Sequence, residues 1–304
     1  MEITRREVMA GGSAALAAGL AGASFAATSA TIGSGRLTTL SDGNLVLPRD
    51  FVLGDLPRDR ADAALAELGI SGDSLTPPCN LTLWQDDTRS VLFDAGSGPA
   101  FMPSAGKLRD ALDAAGVAPG DITHVIFTHA HPDHLWGVLD GFDELVFANA
   151  RYMMGRAEWD YWTDPATVDT IGEARAAFAV GAARRLDAIA DRTEMIAGGQ
   201  EVLPGILAHD TPGHTPGHMA FEIRQGGDAI MVVGDAIGNG HLAFAHPDWP
   251  SGADQDEETG IATRLRLLDR LADSDMAMVG FHLPGGGLGR VARDGDAYRF
   301  VEEV

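Results

Sequence analysis

Apolar and polar positions along the chain follow two successive rounds of predicted strands and helices. In the first round the predicted strands lie within 36–48, 81–98, 122–128 and 144–149, and the predicted helices within 58–69, 104–116 and 168–190. In the second round the strands are GILAHD, MAFEIR, AIMVVGD and MAMVG, with a helix within 256–272. Asp42 and Gly43 indicate a hairpin turn, and Ser104 is suited to cap the helix that follows it. Since no linker or break in composition separates the rounds, one domain over residues 31–304 with two similar halves is expected.

The first 30 residues differ in composition from the rest of the chain. Arg5 and Arg6 precede an Ala/Gly-rich, charge-free run, which is typical of a twin-arginine export signal over 1–30. Cleavage after Ala26 and cleavage after Ala30 both agree with the small residues present. The run is too weakly apolar for a stable membrane span. The twin-arginine translocation machinery is therefore an expected partner, and the expected location is periplasmic or secreted.

Charge restricts the partners of the protein. The formal net charge of −22 repels polyanions, so nucleic acid and anionic membrane surfaces are not expected as ligands, whereas a small neutral organic substrate is favoured. Cys79 is the single cysteine in the sequence, so no internal disulfide can form. Stability is expected to come from the apolar core, or from bound metal.

A histidine cluster follows the strand predicted at 122–128. In the segment THAHPDHLWG, His129 and His131 are two positions apart and point to the same side of an extended chain, where they can bind one ion. Asp133 and His134 are adjacent and suit a second ion beside the first. Imidazole and carboxylate without thiolate favour zinc, manganese, iron or cobalt.

Three further candidate ligands lie at the ends of predicted strands. They are His214 in TPGHTPGH, Asp235 in VVGD and His282 in VGFHLPGG. Strand ends along one edge of a sheet are where sites of layered α/β proteins gather. A carboxylate such as Asp235 can bridge two ions.

The order HxHxDH, PGHTPGH, GD and a late histidine resembles the metallo-β-lactamase fold superfamily over roughly residues 36–301. The segments LSDGNLVLP, TPGHTPGH and LGRVARDGDAYRFV are similar to the branch that contains methyl parathion hydrolase. The resemblance implies an α/β fold (α+β by some schemes), a four-layer αβ/βα sandwich. Relatives of this type are often dimers, so a homodimer is an open alternative to the monomer.

The resemblance also implies roles for individual residues. It assigns His129, His131 and His214 to one metal, Asp133, His134 and His282 to the other, and Asp235 to both. Asp94 is expected beneath the metal-binding loop, and His218 is expected to support the loop of His214.

Two divalent ions, with zinc favoured over manganese, iron or cobalt, predict a metal-dependent hydrolase. Paired metals lower the pKa of bound water to about 7, so the expected nucleophile is a metal-bound hydroxide that attacks a neutral ester, lactone or phosphotriester. Asp133 is the predicted catalytic residue, because its spare oxygen can orient the nucleophile and pass a proton to the leaving group.

Aromatic residues near the cluster are candidates for the wall of a substrate pocket. Trp136 stands where most of the superfamily has glycine, and the other candidates are Trp159, Tyr161, Trp162, Phe244 and Trp249. Homoserine-lactone hydrolases often have tyrosine where this chain has Gly238, and HLPGGGLG replaces the aromatic residues usual after the late histidine. The substrate therefore stays open among esters, lactones and phosphotriesters.

Three alternatives to this hydrolase remain. A mononuclear-iron oxidoreductase of the same fold, similar to persulfide dioxygenases, would need one metal rather than two. A β-lactamase would suit the expected compartment. A metal-binding protein without catalysis would hold the ions tightly and turn over no activated ester.

Overall fold

The computed structural model describes residues 28–54, 56–67, 69–240 and 242–302. Residues 1–27, which contain most of the predicted export signal, lie outside the described residues. The strands in chain order are β1 (Ser29–Ile32), β2 (Gly35–Asn44), β3 (Leu47–Pro48), β4 (Ser74–Leu75), β5 (Pro78–Gln85), β6 (Ser90–Phe93), β7 (His124–Ile126), β8 (Arg151–Gly155), β9 (Thr193–Ile196), β10 (Glu201–Leu203), β11 (Ile206–Asp210), β12 (Met219–Gln225), β13 (Asp228–Gly234), β14 (Ala277–Gly280), β15 (Leu288–Asp294) and β16 (Ala297–Glu302). The α-helices are α1 (Arg49–Leu53), α2 (Arg58–Glu67), α3 (Leu108–Ala114), α4 (Pro132–Leu135), α5 (Arg156–Thr163), α6 (Thr167–Thr170), α7 (Ala176–Ile189), α8 (Leu242–Ala245) and α9 (Glu257–Ser274).

The strands form two seven-stranded sheets and one short pair. The first sheet has the order β1-β2-β5-β6-β7-β8-β9, and the second has the order β10-β11-β12-β13-β14-β15-β16. Strands β3 and β4 pair separately. Each half of the chain therefore contributes one sheet, which agrees with the two similar halves predicted from the hydrophobic pattern.

Alternation along single strands separates the layers of the fold. In β13, Ile230 and Val232 face the first sheet across the central core, while Met231 and Val233 face α9 on the outside. The outer face of the first sheet packs in the same way against helices that include α3 and α7. Because each sheet buries both faces, the four-layer αβ/βα sandwich is confirmed.

The predicted hairpin at Asp42 and Gly43 is wrong. Strand β2 continues to Asn44 with a register shift near its end, and the tight turn lies between β1 and β2, where Ile32 pairs with Gly35. The Asp42 carboxylate is buried and accepts hydrogen bonds from the Ser97 and Leu108 backbone N–H groups, at 2.8 and 2.7 Å. These long-range bonds hold the chain extended at a position where local preference favours a turn.

Two other predicted boundaries are corrected. Helix α3 begins at Leu108 rather than after Ser104, because the Asp42 carboxylate satisfies the N–H of Leu108 from outside the helix. The strand predicted at 144–149 is a series of turns, and the strand of this region is β8 at Arg151–Gly155, which pairs in parallel with β7. The predicted domain range of 31–304 begins within β1, in which Ser29 and Ala30 pair with β2, and it stays a prediction.

The topology gathers several strand ends at one edge of the sandwich. Strands β6 and β7 are parallel neighbours in the first sheet, and β13 and β14 are parallel neighbours in the second. Their carboxyl ends lead directly into Asp94, the histidine cluster, Asp235 and His282. Within the described ranges, no helix is long and apolar enough to cross a membrane.

Candidate metal centre

Three histidine rings converge in what we call the imidazole group, made up of His129, His131 and His214. His131 Nδ1 lies 3.0 Å from His129 Nε2 and 2.9 Å from His214 Nε2. The rings are 0%, 7% and 5% exposed. Ring nitrogens about 3.3 Å apart are expected around a tetrahedral zinc with Zn–N bonds of about 2.0–2.1 Å, so the spacing suits one such ion.

A second set, the carboxylate group, contains Asp133, His134, Asp235 and His282. One ligand atom from each lies within 4.8 Å of the others. His282 Nε2 is 3.2 Å from Asp133 Oδ2 and 3.2 Å from Asp235 Oδ2, and all four side chains are buried. Mixed imidazole and carboxylate donors are typical of divalent zinc, manganese, iron or cobalt sites.

Asp235 contacts both groups. Its Oδ2 lies 3.4 Å from His214 Nε2, which belongs to the imidazole group, and its Oδ1 lies 3.4 Å from His134 Nε2 in the carboxylate group. The two groups are therefore neighbours joined by one carboxylate, which is the arrangement of a binuclear divalent metal site.

Charge differs between the two groups in a way that favours cations. Burial, followed by the neighbouring imidazoles, lowers the pKa of His129 and His131 well below the usual histidine value, so these rings are neutral and able to bind metal. At His134 burial acts in the same direction, but Asp235 and the neighbouring carboxylates outweigh it and raise the pKa to about 10. The carboxylate group thus carries negative charge that protons or metal cations must balance.

Buried polar atoms without partners point to the same conclusion. Asp133 Oδ2, His134 Nε2 and Asp235 Oδ1 are buried and make no hydrogen bond of normal geometry among the described residues, although charged neighbours lie 3.2–3.4 Å away. Leaving such an atom unsatisfied costs about 1–3 kcal/mol. All three belong to the carboxylate group, where a cation would satisfy them together, so the residues present are suited to the metal.

The histidines are oriented from behind by acceptors on their Nδ1 atoms. The Nδ1–H of His134 donates to Asp94 Oδ2 at 2.8 Å, and that of His282 donates to the Pro78 carbonyl at 2.7 Å. Asp94 also accepts from the Thr128 backbone N–H at 2.7 Å. These bonds fix the tautomer in which Nε2 has a free lone pair for metal. Asp94 thus lies beneath the histidine loop.

His218 supports Asp235 as well as its own loop. The Asp235 backbone N–H donates to His218 Nε2 at 3.0 Å, and Thr211 Oγ1 lies 2.8 Å from His218 Nδ1. Burial lowers the pKa of His218 to about 3, so the ring stays neutral and can accept this bond. Its contact with Asp235 extends beyond the support of the His214 loop that the sequence indicated.

A cavity of about 260 Å³ opens onto both groups. Its base includes His131, Asp133, His214, Asp235 and His282. Its walls are mainly apolar, and several come from the segment that contains β3, α1 and β4; the main apolar side chains are Leu45, Leu47, Phe51, Leu75, Phe101 and Phe178. A ligand that reaches the metal-binding residues would therefore bury an apolar part against this wall.

The predicted aromatic wall is corrected, because Trp136, Phe244 and Trp249 do not line this cavity. Trp136 packs beneath α7, where its ring occupies the space left by the missing side chain of Gly181. Phe244 is buried against Phe300, and Trp249 stacks on His246. All three aromatic rings are engaged in packing elsewhere, and the cavity wall is formed by side chains that carry no distinctive sequence motif.

Two acidic residues of the site were missed by the sequence analysis. Asp254 accepts from His214 Nδ1–H at 3.2 Å and lies 3.4 Å from the buried Arg264 guanidinium. Glu158 is 0% exposed and bonds to the loops of the imidazole group on both sides. Neither residue is near a histidine in the sequence, and Asp254 is one of several acidic residues in an ordinary polar segment.

Comparison with protein families identifies the class of the protein. Residues 76–280 match the Metallo-beta-lactamase superfamily. Because this match spans well over half of the 304 residues, the chain belongs to that superfamily.

Relatives in sequence are distant. The uncharacterized protein YobT of Bacillus subtilis (strain 168) is 27% identical over 198 residues, which are 64% of this chain and 79% of YobT. The hydroxyacylglutathione hydrolase of Fuscovulum blasticum is 26% identical over 54% of this chain, and the match spans only 51% of that enzyme.

Solved structures give more complete matches. AidC, a dizinc quorum-quenching lactonase solved in complex with a product, has a TM-score of 0.86 and 26% identity over 91% of this chain and 97% of AidC. AbOPH, a hydrolase in the beta-lactamase superfamily, has a TM-score of 0.84 at 23% identity with the same coverage, which shows the shared fold. The narrower resemblance to the methyl parathion hydrolase branch stays a prediction.

Proposed function

We propose that this protein is an exported binuclear-metal hydrolase that cleaves a neutral ester, lactone or phosphotriester with an apolar substituent. One observation carries the proposal: two buried His/Asp groups share Asp235 at the base of a mainly apolar cavity. The likeness to AidC, a dizinc lactonase, over 97% of its length supports the hydrolase class and the metal count.

The imidazole group would hold one ion and the carboxylate group the other, with Asp235 contributing to both. When bound, such ions supply Lewis acidity and lower the pKa of water to about 7. Zinc is our first choice, because imidazole and carboxylate donors without thiolate suit it.

Within this site, we assign proton transfer to Asp133. Its carboxylate lies at the base of the cavity, 3.2 Å from His282 Nε2, and can carry a proton to the leaving group. Asp94 and the Pro78 carbonyl hold His134 and His282 in position from behind. The apolar wall excludes water from the substrate and binds its apolar part.

Metal content and substrate preference test the proposal together. Elemental analysis of the purified mature protein is expected to find two divalent ions per chain. A panel of a phosphotriester, an aryl ester, an acyl-homoserine lactone and a chromogenic cephalosporin then identifies the substrate class. One iron per chain without hydrolysis would instead support an oxidoreductase, and tight metal without any turnover would support a binding protein.

The apolar cavity wall predicts how activity depends on the length of the acyl chain of the substrate. Each methylene buried against it contributes about 0.8 kcal/mol, or roughly a fourfold rise in kcat/KM, until the cavity is full. A series of acyl chains should show this rise, and Leu47→Ser in the wall should flatten it. If kcat/KM does not change with acyl-chain length, the apolar part of the substrate does not bind this wall.

A further inference from the structure

Glu158 is a buried carboxylate in the first turn of α5, away from the candidate metal ligands along the chain. Its Oε1 accepts hydrogen bonds from the Ala130 backbone N–H at 2.8 Å and from Trp162 Nε1–H at 2.6 Å. Its Oε2 accepts from Thr215 Oγ1–H at 2.7 Å and from the Gly217 backbone N–H at 3.0 Å. One side chain thus receives four hydrogen bonds.

These partners lie beside the ligands of the imidazole group. Ala130 is the residue between His129 and His131, and Thr215 directly follows His214. Ala130 and Thr215 are separated from Glu158 by 28 and 57 positions along the chain. Glu158 therefore connects, through one rigid carboxylate, two loops that the chain itself joins only distantly.

The loop of His214 is packed tightly against α5 at the same place. A Cβ atom at Gly217 would lie 2.0 Å from the Glu158 backbone nitrogen, so only glycine allows this approach. Three of the four partners of Glu158 are N–H groups that can only donate, which requires acceptor oxygens on the side chain. Burial raises the pKa of Glu158, and the four hydrogen bonds oppose that effect.

We propose that Glu158 is a positioning residue that sets the distance between the His129/His131 loop and the His214 loop, and thereby the metal affinity of the imidazole group. It acts through the loops and touches no candidate ligand atom. The inference rests on the proposed metal centre. The carboxylate group has separate supports in Asp94 and the Pro78 carbonyl, so its affinity should not depend on Glu158.

The main variant is Glu158→Gln, which keeps the shape of the side chain. Its amide NH2 must face either the Ala130 and Trp162 N–H groups or the Thr215 hydroxyl and the Gly217 N–H group, so the bond from Ala130 or the bond from Gly217 is lost. Removal of groups that orient metal ligands lowers metal affinity on the order of 10–100-fold. We expect a loss of that size at the imidazole group and a change below about threefold at the carboxylate group.

The experiment titrates the metal-free full-length chain with Co²⁺ in competition with a chelator and follows the cobalt absorption bands. His131→Ala and Asp133→Ala identify which step belongs to which group. Thr215→Val removes one hydrogen bond between Glu158 and the His214 loop and should weaken the same step. Glu222→Gln is the matched control, since it makes the same change in another buried carboxylate, whose partners His209, Arg224 and Arg270 lie outside both loops.

The outcomes separate this inference from the proposed function. Selective weakening of the imidazole-group step in Glu158→Gln and Thr215→Val, with altered cobalt bands and with Glu222→Gln near wild type, supports it. Wild-type affinity at both steps in Glu158→Gln overturns it. An equal loss of cobalt affinity at both steps, together with a lower free energy of unfolding in urea, overturns it too, because Glu158 would then only stabilise the fold. Absence of two steps in the wild type would refute the proposed metal centre itself.

Discussion

Gly181→Ala is expected to destabilise the protein, although alanine is the better helix former. Gly181 lies inside α7, and a Cβ atom there would lie 2.1 Å from Trp136 Cζ2. The Trp136 ring is held on its other sides, with the Arg185 guanidinium 4.2 Å from its centroid and the Phe101 ring in edge contact at 5.6 Å. The ring cannot move aside without disturbing these neighbours.

The magnitude follows from two opposing contributions. Alanine in place of glycine stabilises a helix interior by about 1 kcal/mol. Ordinary carbon contacts are about 3.5–4.0 Å, so the ring or the helix must shift by roughly 1.5 Å, and overpacking of this kind costs about 1–3 kcal/mol. Because the overlap here is severe and the ring is enclosed, we expect a net loss of about 1–2 kcal/mol in the free energy of unfolding.

Urea unfolding followed by far-ultraviolet circular dichroism, at one fixed free-metal concentration, measures this loss. Val180→Ala is the control on the same helix, because Val180 is 61% exposed and its replacement should change stability by less than about 0.5 kcal/mol. In a Trp136→Leu background the clash is absent, so Gly181→Ala should become stabilising by up to about 1 kcal/mol. Equal or higher stability of Gly181→Ala in the wild-type background, or an unchanged penalty without the tryptophan ring, would refute the reasoning.

Three further predictions concern the metal centre, the thiol and export. Asp133→Ala should lose the metal of the carboxylate group and most hydrolysis while circular dichroism stays unchanged; full activity with one metal per chain would contradict the two-metal mechanism. Cys79 is 0% exposed, and burial raises the pKa of its thiol to about 12, so a thiol reagent at pH 8 should label it only after unfolding in guanidinium. Replacing Arg5 and Arg6 with lysine should keep the protein in the cytoplasm, as cell fractionation would measure, and unchanged export would refute the twin-arginine prediction.

Local spacing was sufficient to find the candidate ligands. His129 and His131 are two positions apart on one segment, and Asp235 and His282 lie one and two positions after the ends of apolar strands. Such short-range patterns can be recognised in a sequence because they depend on strand geometry alone. The two rounds of strands and helices likewise predicted two similar halves around one core, because alternation records which faces are buried.

Contacts between residues far apart in the chain determine features that the hydrophobic pattern did not predict. Asp42 overrides its own turn preference because its carboxylate binds N–H groups 55 and 66 positions away. Trp136, an expected pocket residue, is instead buried where Gly181 leaves room, and nothing in the local sequence links these two residues.

By itself, the sequence determined the two rounds of strands and helices and the histidines and aspartates able to bind metal, since these depend on periodicity or on close spacing along the chain, and its motif order pointed by resemblance to the fold family and its layers. Only the tertiary structure decided which side chains wall the cavity and which hold the ligands in place. Glu158 bonds to Thr215, the neighbour of His214, from 57 positions away, and Asp254 bonds to the His214 ring from 40 positions away. An acidic residue in a polar helix or loop looks the same in the sequence whether it is solvated or buried against a metal-binding loop, and only folding distinguishes the two.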